Sequence, residues 1–369
     1  MMGGFKVAGE IRIALDAMGG DHAPGEIVKG AVHAVMHHAG MRIILVGRQE
    51  EVRRALEKET QAAKADASAL AGWQDRISIQ DAREVISTSE HPVDAIMHKR
   101  DSSMVVALTM VKKGEADAVA SAGNSGALMV GGQGIVGRVR GVQRPPFGTL
   151  IPTKRGVLLL VDSGANVDAR PQFLAQWAKL GTIYMQSSLG INRPKVGIVN
   201  IGAEEEKGNQ LVKDTFPLLK KMHEDGEINF GGSCEARDIP EGAFDVVVCD
   251  GFVGNVVLKM YEGVAKVLLS EMKAGLLSST RSKIGALLIK PALKKTLRKF
   301  DSSQYGGAPI IGLTGLVVKM HGSSKAVEVE RAMDQCVQYR EQRIADRIQE
   351  YAAGEKKKQD AARAAEKGV

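Results

Sequence analysis

Short apolar runs alternate along this chain with longer stretches in which apolar positions recur every three or four residues. The runs are Ile11 to Leu15, Arg42 to Val46, Arg76 to Ile79, Ala118 to Ser121, Val157 to Val161, Lys195 to Asn200, Asp245 to Cys249 and Leu313 to Val318. Most are apolar throughout, as strands of a parallel sheet covered on both faces must be. The helical pattern fills the gaps: Pro24 to Ala39, Gln49 to Lys64, Asp101 to Lys113, Ser125 to Val136, Pro171 to Met185, Lys207 to His223, Gly254 to Lys273 and Ser323 to Tyr351. This alternation predicts an α/β fold: a doubly wound, mostly parallel sheet in an α/β/α sandwich. The stretch Arg144 to Gly156, with Pro145, Pro146 and Pro152, marks a seam between two halves.

At 369 residues and 44% hydrophobic, the chain can bury a sizeable core. Residues 1–10 read as a flexible extension, 11–351 as the α/β domain, and 352–369 as a flexible basic tail. Cys234, Cys249 and Cys336 lack C-x-x-C spacing, which argues against a disulfide framework or a thiolate metal site. No apolar run reaches the roughly 18 residues of a spanning helix, so a cytoplasmic protein is expected. The net charge of +7 is concentrated: between Met272 and Phe300 lie eight Lys and Arg residues and no acid, and the rest of the chain is close to neutral. A single basic device fits that distribution better than a surface that coats nucleic acid.

The candidate chemistry lies where the strands end. Glycine-containing polar turns follow them: D-A-M-G-G-D-H from Asp16, S-A-G-N-S-G-A from Ser121, V-D-S-G-A-N from Val161, N-I-G-A-E-E-E-K-G-N from Asn200, C-D-G-F-V-G-N from Cys249, and K-M-H-G-S-S after Val318. Ligands of open parallel sheets bind outside the carboxyl ends of the strands, so these turns are expected to converge on one crevice. Backbone N–H groups at Gly19 and Gly20 can cradle an oxyanion, and Lys207 offers a cation. Ser121, Asn124, Ser125, Asn166, Asn255 and Ser323 can donate hydrogen bonds. Two carboxylates beside an anion would repel it, so Asp16 is read as structural, and Asp21 and His22 as looser members of the site. His321, beside Gly322 and Ser323, is a further candidate. No G-x-S-x-G elbow or Cys–His neighbour calls for a protein nucleophile, so the attacking group can come from the substrate.

Two motifs are set aside. Gly132-x-Gly134-x-x-Gly137 fits the dinucleotide fingerprint but follows a helical run. His33 and His37, four apart on a helix, lack further metal ligands and read as a polar face, and Glu204, Glu205 and Glu206 as acids favouring a helix N-terminus.

The strings D-A-M-G-G-D-H-A-P, S-A-G-N-S-G-A-L-M, V-D-S-G-A-N-V-D-A, N-I-G-A-E-E-E-K-G-N, E-A-R-D-I-P, D-G-F-V-G-N and H-G-S-S resemble, in order, those of the bacterial phosphate acyltransferases of phospholipid synthesis. Ser125 stands where a threonine is common in that family. The resemblance implies transfer of a long-chain fatty acyl group from acyl carrier protein to inorganic phosphate. The acyl phosphate formed would serve a membrane glycerol 3-phosphate acyltransferase. It implies Lys207 and Asn255 as catalytic residues, no metal or organic cofactor, and a homodimer. Lys207 would hold phosphate or offset developing charge, and the Asn255 amide would donate to the oxyanion. Lys207 is otherwise a cation in a helix's first turn, and Asn255 an N-cap.

The basic segment, about 274–300, interleaves Leu276, Leu277, Ile284, Leu287, Leu288, Ile289, Leu293, Leu297 and Phe300 with cations, and Pro291 is expected to split it into two short helices. Such a protruding amphipathic hairpin, with Leu287, Leu288, Lys290, Lys294 and Arg298, suits contact with an anionic membrane surface, docking of an acidic carrier protein, or dimer packing. It would make the protein a peripheral guest of the membrane's inner face. Two rival functions stay open: a short-chain acyl-coenzyme A:phosphate acyltransferase, and a non-enzymatic lipid-surface binding protein.

Overall fold

The strands divide between two sheets, each in its own unit of the chain. In the computed structural model, residues 10–63, 66, 68–298 and 305–367 are described, with side chains to residue 357 and none at 298. The extension at 1–9, Lys64, Lys299, Phe300 and the side chain of Arg298 lie outside the described residues. One unit comprises Met1–Pro145, Ser187–Gly190 and Ser303–Val369, and the other Pro146–Gln186 and Ile191–Ser302. Their junction at Pro145 falls inside the proline-marked seam.

The first unit opens with β1 (Ile11–Asp16), α1 (Gly25–His37), β2 (Met41–Gly47), α2 (Gln49–Ala63) and β3 (Ile77–Asp81). It continues through α3 (Pro92–His98), α4 (Ser103–Lys112), β4 (Ala118–Ser121) and α5 (Ser125–Gly131). The second unit begins with β5 (Gly148–Thr153), β6 (Gly156–Val161), α6 (Pro171–Leu189), β7 (Lys195–Asn200) and α7 (Gln210–Glu224). Then come β8 (Asn229–Glu235), β9 (Val246–Val248), α8 (Gly251–Leu276) and α9 (Thr280–Arg298). The chain returns to the first unit with β10 (Ala308–Pro309), β11 (Leu316–Lys319), α10 (Ala326–Glu341) and α11 (Ile344–Lys367).

The first sheet has the order β10-β11-β4-β1-β2-β3 and the second β5-β6-β9-β7-β8. Among the strands of the described residues, only β10–β11 and β5–β6 pair antiparallel. Central strands are apolar on both faces: Ile13, Leu15, Ile43 and Val119 in the first unit, and Leu158, Leu160, Val196 and Val246 in the second, are fully buried. The pattern therefore called a mostly parallel α/β architecture correctly and missed the two-sheet division.

Edge strands account for what was missed. β5 contains Pro152, which an edge strand tolerates because one side of its ladder is unpaired, and β8 carries Gly231 and Gly232. The helix expected over Ser323 to Tyr351 is two helices, divided where Arg343 adopts φ 51°. Beyond Tyr351 the chain continues as helix to Lys367. Pro291 does not divide the basic segment. It lies inside α9, and the hairpin turn falls earlier, where Ser279 Oγ accepts from the Ser282 N–H at 3.1 Å. The basic helix is thus the second arm of an α8–α9 hairpin.

Candidate active site

Within the first unit, the turns after β1, β4 and β11 are packed on one another. Asp21 N–H donates to the Gly322 carbonyl at 2.8 Å, and Met320 N–H to the Ser121 carbonyl at 2.9 Å. Gly20 has φ +98°, and a Cβ there would meet Ala122 and the Gly322 carbonyl, both at 2.9 Å. A side chain at that point would separate the turns. A Cβ on Gly19 would meet Asp16 Oδ2 at 2.6 Å and Gly123 N at 2.7 Å, so Gly19 gives room to protein backbone.

Several polar groups expected to face a ligand are turned inward. Ser121 Oγ donates to Asp16 Oδ2 at 2.6 Å and accepts from Gly123 N–H at 3.0 Å. Asn124 caps α5, its Oδ1 accepting from Ala127 N–H at 3.0 Å, while its amide donates to the carbonyls of Ser87, Thr88 and Glu90. Asp16 is buried as the structural reading required, and burial raises its pKa despite those donors. Asp21, His22 and Ser125 have exposed side chains. His321 Nδ1 accepts from Ser323 N–H at 3.2 Å and pairs with Ser323 Oγ at 2.8 Å, which puts the neutral ring's proton on Nε2.

Adjacent parallel strands β6, β9 and β7 supply three turns in the second unit. The buried carboxylate of Asp162 organises the first. Oδ1 accepts from the N–H groups of Phe147, Gly164 and Ala165, at 3.0, 3.1 and 3.0 Å, and Oδ2 from Asn166 N–H and Nδ2, at 2.7 and 2.9 Å. Burial nevertheless raises its pKa. Asn166 is thus engaged inside the turn, 7% exposed. The second turn locks onto the first. Gly251 N–H donates to the Asn166 carbonyl at 2.8 Å, and a Cβ on Gly254 would stand 1.9 Å from the Asp162 carbonyl.

Asp250, not Asn255, caps α8, its Oδ1 accepting from Val253 N–H at 2.9 Å. Asn255 sits one turn further along the helix, exposed, with its Oδ1 beside Gly164. Its amide makes no hydrogen bond among the described residues. Lys207 also differs from expectation: α7 starts at Gln210, capped by Asn209, so Lys207 belongs to the loop before the helix. Its Nζ lies 2.8 Å from Glu204, and both side chains are about half exposed. Glu205 pairs with Lys220, so the three glutamates belong to that loop too. The ends of β6 and β7, which carry the turns beside Asn255 and Lys207, are separated by β9 alone, roughly 10 Å at two strand spacings.

Burial pushes the Cys234 thiol up to about 12 and Cys249 well above its usual range. Neither can supply a thiolate at neutral pH. No cluster of three metal-ligating side chains occurs among the described residues. His33 and His37 instead face Glu330, at 4.0 and 3.6 Å. Gly132–Val136 continues α5 as a π-turn, which removes the dinucleotide reading. No helix among the described residues is long and apolar enough to cross a membrane. On the hairpin, Leu287 and Leu288 are 70% and 76% exposed, and Lys290 and Lys294 are exposed beside them.

Asp162 and Asn200, whose side chains build the second unit's turns, were not among the residues expected from sequence. The signal for both was present: a lone Asp or Asn placed where an apolar strand gives way to a glycine turn.

The fold is similar to that of solved phosphotransacetylases. A phosphotransacetylase from Streptococcus pyogenes superposes with a TM-score of 0.56 at 16% identity, over 90% of this chain and 94% of that one. The EutD phosphotransacetylase from Staphylococcus aureus gives 0.53 at 13% identity, over 89% and 94%. In sequence, residues 11–347 match the family model described as "Fatty acid synthesis protein". The phosphate acyltransferase of Clostridium acetobutylicum is 46% identical over 336 residues, 91% of this chain and 97% of that protein. That of Clostridium botulinum is 45% identical over 337 residues, 91% and 96%. The chain belongs to the phosphate acyltransferase family, enzymes of fatty acid and lipid synthesis that transfer an acyl group to phosphate.

Proposed function

We propose that this enzyme takes a long-chain acyl group from acyl carrier protein and transfers it to inorganic phosphate, and that the acyl phosphate feeds a membrane glycerol 3-phosphate acyltransferase. The observation that carries the long-chain, carrier-bound reading is the α8–α9 hairpin. Its first arm begins with the turn that holds Asn255, and its second exposes Leu287 and Leu288 among cations. A short acyl-coenzyme A substrate gives no reason for such an arm, and a passive lipid binder gives none for the strand-end turns. The acidic carrier complements Lys290, Lys294 and Arg298 by charge, and the apolar side chains suit the lipid interface. A homodimer, with peripheral attachment to the membrane's inner face, completes the proposal.

In the proposed reaction a phosphate oxygen attacks the thioester carbonyl carbon. The carbonyl electrons move onto oxygen as a tetrahedral oxyanion, which collapses with cleavage of the C–S bond. The thiolate leaves and takes a proton from solvent. Phosphate dianion is already a nucleophile, so the protein's task is to desolvate, aim and stabilise, and the chemistry calls for no metal or cofactor. Lys207 exchanges Glu204 for phosphate, and the uncommitted Asn255 amide donates to the oxyanion. Gly19, Gly20, Asp21, His22, Ser121, Asn124, Ser125, Asn166, His321 and Ser323 are proposed to shape the phosphate-binding turns, those with inward-facing polar groups acting through the backbone they hold.

Thiol release from a long-chain acyl carrier protein thioester and from acetyl-coenzyme A, each with phosphate, tests the reading. The carrier thioester is expected to be the far better substrate. Preference for acetyl-coenzyme A would establish the short-chain alternative, and no turnover of either would leave the lipid-binding one.

A further inference from the structure

Residues 201–209 bridge β7 and α7, with Lys207 near their end. Within the segment, among the described residues, one backbone–backbone hydrogen bond forms, from Lys207 N–H to the Glu204 carbonyl at 3.3 Å, and at its end the Asn209 carbonyl accepts from Lys213 N–H at 3.1 Å. A side chain beneath it adds further ties. Asn200, the last residue of β7, is 6% exposed. Its Oδ1 accepts from Ile201 N–H at 2.8 Å. Its Nδ2 donates to the Lys207 carbonyl at 3.2 Å, to Ser233 Oγ on β8 at 3.0 Å and, at the limit, to the Glu204 carbonyl at 3.5 Å. One amide thus ties both ends of the loop to the sheet. The Lys207 side chain then crosses Gly202, where a Cβ would stand 2.5 Å from its Cδ and 3.0 Å from its Nζ.

We propose that Asn200 is the positioning residue for Lys207: it fixes the main chain from which the lysine reaches, and so the place to which its ammonium returns. The inference rests on the reading of Lys207 as the cation that meets phosphate. An amide suits the position because the loop presents one N–H to be accepted and carbonyl oxygens to be donated to. A carboxylate of equal size keeps the first contact and sets negative charge against the Lys207 carbonyl.

The test is a double-substitution cycle on the full chain, reading phosphate-dependent thiol release and the thermal midpoint. Asn200→Asp is expected to lower kcat by about 10- to 100-fold, the scale of an ångström's misplacement of a reacting group, while the protein stays folded. Lys207→Met is expected to lower kcat by about 100- to 1,000-fold. In the Lys207→Met background, Asn200→Asp is expected to cost nothing further, because the group it positions is gone. An equal fold-loss in both backgrounds would overturn this inference alone, as would an unchanged rate for Asn200→Asp. Wild-type turnover by Lys207→Met would overturn the reading of Lys207, and this inference with it. If Asn200→Asp does not fold, Ser233→Ala removes one acceptor of the same amide. Its few-fold loss is likewise expected only when Lys207 is present, and a loss in both backgrounds would overturn the inference.

Discussion

Ser121 Oγ donates to Asp16 Oδ2 at 2.6 Å, joining the ends of neighbouring strands β4 and β1. The same carboxyl group accepts from Met18 N–H at 3.2 Å, so a single buried side chain sets the geometry of two turns. Burial outweighs these donors and raises its pKa above 3.8. A carboxyl with a raised folded-state pKa contributes stability in full below its unfolded value, and that contribution is lost as pH rises through the folded value. The margin of wild type over Asp16→Asn in unfolding free energy is therefore expected to be largest at acid pH and to shrink toward neutrality. Denaturant midpoints of both proteins across that range would show it. A margin that grew with pH would contradict the assignment.

Gly254→Ala is expected to be severe. Its Cβ would stand 1.9 Å from the Asp162 carbonyl, and backbone on both sides leaves neither partner a way to yield. Overpacking of this kind costs about 1 to 3 kcal/mol or more, and here it also displaces the turn that holds Asn255. Both the thermal midpoint and turnover should fall, whereas Gly263→Ala on the same helix, where nothing lies within 4 Å, should leave turnover unchanged and the midpoint unchanged or raised.

Glu204→Gln removes the carboxylate that holds the Lys207 ammonium at 2.8 Å. In the proposed reaction, phosphate then no longer has to displace it. Because such half-exposed pairs contribute only about 0.2 to 1 kcal/mol, the KM for phosphate is expected to fall by at most about fivefold, with kcat little changed. Phosphate titrations of initial rate measure it, and a raised KM would show that Glu204 helps to bind substrate.

Leu287→Glu with Leu288→Glu should abolish flotation of the protein with anionic vesicles. Both side chains are exposed on α9, beside Lys290 and Lys294. Near-surface cations contribute about 1 kcal/mol each, so raising the salt should weaken binding by the unaltered protein as well. Undiminished flotation of the double variant would remove the membrane role from this face.

The architecture was legible because central parallel strands are apolar on both faces, as Leu158 to Val161 and Val246 to Val248 show. Edge strands escape that signal, and Pro152 in β5 read as a seam. Helix starts were displaced for a different reason. Asp250 and Asn209 stand a few residues before Asn255 and after Lys207, and the side chain that turns back to accept a backbone N–H decides the cap. The same ambiguity affected the polar turn residues. Ser121, Asn124 and Asn166 have the chemistry to meet an anion, but their partners are Asp16, the 87–90 carbonyls and Asp162, contacts made at long sequence separation or by turn geometry.

The most direct test of the proposed chemistry is rapid-quench thiol release from the long-chain carrier thioester with phosphate omitted. Attack by phosphate itself requires that no thiol appear until phosphate is added. A burst of about one thiol per enzyme without phosphate, leaving acyl mass on the protein, would mean a covalent acyl-enzyme and contradict the mechanism.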